Sequence, residues 1–123
     1  MRSRLSVLFA FLLAALAGAA GAADLVMVEE PGCPWCARWN REIAPAYPKT
    51  PEGRFAPLIR TDISIPEPDG TRFSARVVYT PTFILVDNGV ELGRIEGYPG
   101  PDFFWGLLGK LLAEKTSFSP PGS

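Results

Sequence analysis

Two cysteines stand three positions apart, in the segment Glu29–Asn40 (EEPGCPWCARWN), and the chain has no others. A pair at this spacing closes too small a loop to remove much entropy from an unfolded chain, so it makes a poor staple. It suits a dithiol that opens and closes. In that chemistry a thiolate on Cys33 attacks a partner disulfide, and Cys36 then resolves the mixed disulfide. Three other readings of the pair compete with this one. A purely structural disulfide gains little from so short a loop. A metal site built on two sulfurs is half of a tetrahedral shell, and the chain has no histidine to complete it. Haem attachment needs a histidine directly after the second cysteine, where Ala37 stands.

Redox chemistry needs a lowered thiol pKa, which the surrounding elements can supply. Leu25–Val28 is a short, continuous apolar run, as expected of a strand buried on both faces. Pro31-Gly32 ends it, and a helix is expected to start around Cys33 with Pro34 at its first position. Unpaired N–H groups at a helix start stabilise a thiolate, and cysteines placed there reach pKa values of roughly 3.5 to 7.5. Cys36, Trp39, Ile43 and Ala44 recur at helical spacing, which makes Trp39 a packing residue. Trp35, between the cysteines, is the candidate apolar contact surface beside the nucleophile. Glu29 and Glu30 could tune the thiol, although exposed carboxylates are the commoner outcome at such positions.

Pro45, Pro48 and Pro51 are expected to break the helix and lead into a loop. Phe55–Ile63 reads as a second strand, parallel to the first and joined to it by a right-handed crossover. Residues 65–70 (IPEPDG) read as loop, and Thr71–Val77 as a helical turn or two. Thr82–Val86 and Val90–Glu96 flank Asp87-Asn88-Gly89, a hairpin signal. A last helix opens at Pro101-Asp102 with Phe103, Phe104, Leu107, Leu108, Leu111 and Leu112 as one wide apolar stripe. Tyr98, Phe103, Phe104 and Trp105 read as a core cluster, with exposure of Trp105 left open. Thr80-Pro81 opens the third strand. Proline cannot donate to a ladder, and only about 5–6% of X–Pro bonds are cis, so trans is the default for an isolated site. The order fits an α/β sandwich, a mixed four-stranded sheet flanked by helices.

The rest of the composition bounds the setting. Arg2 and Arg4 precede an apolar run from Leu5 to Leu16 and then Ala20-Gly21-Ala22, the pattern of a secretory signal cleaved after Ala22 or Ala23. The alternative, an uncleaved anchor, is disfavoured because a span needs roughly 20 apolar residues. Residues 1–23 are therefore expected to be removed, leaving a domain over 24–113 and a disordered tail over 114–123. Without Arg2 and Arg4, ten basic residues face thirteen acidic ones, a net charge of −3. No basic patch forms, which argues against nucleic acid as a partner. Export would place the cysteines where disulfides persist. No apolar element is left over to drive association, so a monomer is expected.

CPWC after a short strand, TPTF before a hairpin and GYPG ahead of a last helix together resemble the thioredoxin-like family, from about Asp24 to Leu112. The resemblance implies that Cys33 is the nucleophile, that Cys36 resolves, that Pro81 is cis and faces the disulfide, and that Thr80 offers its backbone to a substrate strand. PGCPWCARWN, AYPKTPEG, TPTFIL and GRIEGYPGPDFFWGLL are more closely similar to the exported members encoded with bacterial sulfur-oxidation genes. That similarity implies a periplasmic thiol–disulfide oxidoreductase without a cofactor, since the dithiol itself carries two electrons. It implies a protein client such as a sulfur-carrier protein, and a membrane electron donor for recycling. The chain departs from cytoplasmic thioredoxins at Met27, where they place a buried aspartate, so their proton relay does not carry over. The alternative from another class is a non-enzymatic module that handles copper with the same two thiolates. Methionine or histidine near the pair would favour it, and residues 29–40 contain neither.

Overall fold

The computed structural model describes residues 23–65 and 67–122. The expected signal segment lies outside them, apart from Ala23, which is buried and paired with Asp87. The elements run β1 (Ala23–Glu29), α1 (Pro34–Glu42), a 3-10 turn (Tyr47–Lys49), α2 (Pro51–Phe55), β2 (Leu58–Asp62), β3 (Thr82–Asp87), β4 (Val90–Glu96) and α3 (Pro101–Lys115). The sheet order is β2-β1-β3-β4. β2 lies parallel to β1, and β3 and β4 run antiparallel to their neighbours, which makes the expected mixed sheet.

Strand alternation divides the core in two. Leu25, Met27, Phe83, Leu85 and Ile95 face α1 and α3 and pack with Cys36, Trp39, Ile43, Phe104, Leu108 and Leu112. Trp39 is fully buried at the centre, 5.1 Å from the Phe83 ring and 5.7 Å edge-on from Phe104. Val26, Val28, Ile84 and Val86 form the other face. Among the described residues, no helix packs on that face. The expected helical turn over Thr71–Val77 is absent, and residues 67–81 instead form a strap. Phe73 and Val77 of the strap pack on the sheet. Long-range bonds hold it open: Ser74 N–H donates to Glu91 at 3.1 Å, and Arg94 donates to the carbonyls of Ala75 and Arg76 at 2.8 and 3.4 Å. A groove of about 710 Å³ opens between strap and sheet, lined by Val28, Ile63, Phe73, Val77 and Val78 among others.

Four further expectations need correction. The proline-rich stretch is helical: Thr50 caps α2 by accepting from Gly53 N–H, and Pro51 sits at its first position. Phe55 therefore ends α2, and β2 begins at Leu58. The stripe on α3 is only half buried, because Phe104, Leu108 and Leu112 are enclosed while Phe103 is 68% exposed and Leu107 is exposed. Trp105 is half-buried, stacked on Tyr47 at 6.1 Å. Past residue 113, α3 runs on to Lys115, and Phe118 packs edge-on against Phe55 at 5.3 Å, so an apolar contact holds this part of the expected tail.

The hairpin forms as its turn chemistry requires, with Asn88 and Gly89 both at positive φ and Asp87 paired with Val90. No described helix is long and apolar enough to cross a membrane.

Candidate active site around Cys33 and Cys36

The site sits where β1 hands over to α1. Gly32, at φ 79°, turns the chain, and Cys33 N–H donates to the Glu30 carbonyl at 3.3 Å. Cys33 is the N-cap of α1, in extended conformation at φ −78° and ψ 109°, and Pro34 opens the helix as expected. The Cys33 Sγ accepts a hydrogen bond from Cys36 N–H at 3.1 Å. The sulfur thus occupies the place of a capping oxygen, where the helix's unpaired donors and positive end favour a thiolate. No carboxylate in the first turn of α1 opposes that charge.

Cys33 and Cys36 are joined by a disulfide, with Cα atoms 5.3 Å apart. The two sulfurs differ in access. Cys36 is 3% exposed within the core, whereas Cys33 is half-buried at the surface. An incoming thiol or disulfide therefore meets Cys33. Among the described residues, no group of three His, Cys, Asp or Glu side chains comes together to hold a metal. The two sulfurs alone would supply half of a tetrahedral shell.

Thr80 and Pro81 come to the same end of the sheet. Val28 at the end of β1 pairs with Thr82 at the start of β3, which sets residues 80–81 beside the loop after β1. The Thr80 hydroxyl donates to Glu30 Oε1 at 2.7 Å. The Thr80–Pro81 peptide bond is cis, as the resemblance implied, and the Pro81 carbonyl accepts from Gly97 N–H at 2.7 Å. That bond draws in the turn before α3. Three loops therefore converge: Glu30–Cys33, Tyr79–Pro81 and Gly97–Gly100. Trp35 is 54% exposed, and Val78 and Tyr79 are also exposed at this rim.

The two glutamates behave differently. Glu30 ties two loops together. Glu29 pairs with Arg60 at 2.7 Å at the exposed sheet edge, on the same face as Met27, a contact worth little in water. Arg60 was not singled out from the sequence. It lies opposite Met27 in the β1–β2 register, 3.6 Å from the Met27 Sδ and 5.8 Å from the centre of the Trp39 ring. A guanidinium therefore approaches the position where cytoplasmic thioredoxins place their acid. Arg38 also went unnoticed, although its spacing from Trp35 on one helix was a readable signal. Burial, helped by the Glu42 charge and partly opposed by Arg38, pushes the Tyr98 phenol up.

A profile described as a thioredoxin-like domain matches residues 14–112. The chain belongs to the thioredoxin-like family. This thioredoxin-like protein is also similar to the periplasmic thioredoxin SoxS from Paracoccus pantotrophus, known from a crystal structure of its reduced form. The two are 50% identical with a TM-score of 0.74, over 76% of this chain and 98% of that one. No curated protein sequence matches the chain. With its paired cysteines at a helix start, this thioredoxin-like protein is a thiol–disulfide oxidoreductase.

Proposed function

We propose that the protein works in the periplasm as a dithiol reductant, or isomerase, of a disulfide on a specific protein client. The unequal access of the two sulfurs carries this reading. In the reduced state, the Cys33 thiolate attacks one sulfur of the client disulfide. That bond breaks, a Cys33–client bond forms, and the departing client thiolate takes up a proton. Cys36, once deprotonated, attacks Cys33 Sγ and releases the second client thiol. The client has gained two electrons and two protons, and the Cys33–Cys36 disulfide has formed. Trp35, Thr80 and Pro81 serve as the client surface around that exchange. A membrane electron carrier restores the dithiol. The likeness to the periplasmic thioredoxin SoxS supports the compartment, and the proposed client is a protein whose own thiol must be kept active, such as a sulfur-carrier protein.

Cys33→Ser should abolish dithiol-dependent reduction of insulin, and Cys36→Ser should accumulate mixed disulfides with its client. The reading fails if Cys33→Ser keeps full activity. The reduction potential fixes the direction of exchange: a value near about −270 mV fits a reductant, and one near about −120 mV would make the protein an oxidant.

A further inference from the structure

The exposed indole of Trp35 is held from one side by a charged side chain that the exchange reaction does not use. Arg38 lies three residues further along α1 and so shares its face. Its Cζ stands 6.0 Å from the centre of the Trp35 ring and 5.6 Å from that of Tyr98, both within the reach of a cation–π contact. Glu42, one turn on, accepts from Arg38 Nε and pairs with its charge. Tyr98 is buried and packs edge-on against Phe104 at 6.2 Å, so it is anchored to α3. The guanidinium is thus placed between a fixed ring and a free one.

We propose that Arg38 is a positioning residue, clamping the Trp35 indole against the Tyr98 anchor in the orientation that client polypeptides meet beside Cys33. Because Glu42 pairs with the guanidinium, orientation rather than net charge is its contribution. An exposed aromatic on the first turn of a helix would otherwise sample several rotamers, and a client would have to order it on binding. That cost falls on complex formation and leaves the sulfur exchange itself alone. The inference rests on the reading of Trp35 as client surface, and it adds the group that holds that surface in place.

The test uses the full reduced protein, insulin as the disulfide client, and 15N relaxation of the Trp35 indole N–H. Arg38→Met keeps helix propensity and length while removing the cation. It should lower the indole order parameter below about 0.6, from about 0.85 for a held group. It should also raise the KM for insulin roughly 2- to 10-fold, the cost of ordering one side chain, with kcat changed less than about 2-fold. Arg38→Lys, which keeps the cation without the planar fork, should recover part of both effects. An unchanged indole in Arg38→Met overturns the proposal, and so does a loosened indole with an unchanged KM. Trp35→Ala separates the two levels: if it leaves the insulin KM unaltered, the client-surface reading itself is wrong.

Discussion

The hydroxyl of Thr80 and the carboxylate of Glu30, fifty residues apart in sequence, meet at 2.7 Å. Because Glu30 also accepts from Cys33 through its carbonyl, one residue links the segment before Pro81 to the loop that carries the nucleophile. The contact is open to solvent, so its worth to stability is small, under about 1 kcal/mol. Its worth to docking should be larger. Thr80→Val and Glu30→Ala should each raise the KM for insulin, and the double variant should do no more than either alone. Additive effects in that cycle would show that the two residues act separately.

Gly53 offers a test in which propensity and packing disagree. A Cβ built on it would lie 1.8 Å from the Tyr47 carbonyl oxygen, an atom of the backbone that cannot swing aside. Alanine is favoured over glycine in a helix by about 1 kcal/mol, which taken alone predicts a gain. Overpacking costs about 1–3 kcal/mol, and here the clash is with main chain. Gly53→Ala should therefore lower Tm by several degrees, and a higher Tm would contradict the close approach.

The strap over the second sheet face should weaken in acid. Burial resists ionisation of Glu91, but bonds from Arg94, at 2.7 and 3.0 Å, and from Ser74 N–H outweigh it and hold the carboxyl below its ordinary value near 4.5. A carboxylate with a depressed folded-state pKa stabilises the fold above its unfolded-state value. That contribution disappears as pH falls through the folded-state value. At pH 7, Glu91→Gln should be less stable than the native chain by about 1–3 kcal/mol. Urea midpoints taken from pH 7 down to pH 3 should show the gap closing as pH falls below the ordinary carboxyl value of 4.5. A constant gap would remove the linkage.

Local chemistry made much of the molecule readable in advance. The apolar run of β1, the Asp87-Asn88-Gly89 turn and Pro34 after Cys33 each impose a conformation on their own neighbours, and each element formed where expected. The helix α2 was also signalled, by Thr50 ahead of Pro51 and an acidic residue, yet three prolines in seven positions suggested a loop. The strap defeated local reading for another reason. Phe73 and Val77 have helical spacing, but Glu91 and Arg94, on a later strand, take up the backbone groups that a helix would have paired internally. The Thr80–Glu30 and Arg60–Met27 contacts likewise depend on strand pairing, which brings distant residues together and leaves no mark on either segment.

Cys33 Sγ is both the reacting atom and the acceptor that closes the first turn of α1. This double duty decides how a knock-out should be built. Serine is among the best helix caps, so replacing sulfur with a hydroxyl oxygen silences the exchange while the first turn keeps its acceptor. Alanine would remove the reactive atom and the cap together, with about 1 kcal/mol of stability. An inactive alanine variant would then confound lost reactivity with a frayed helix, whereas an inactive serine variant reports on the sulfur alone.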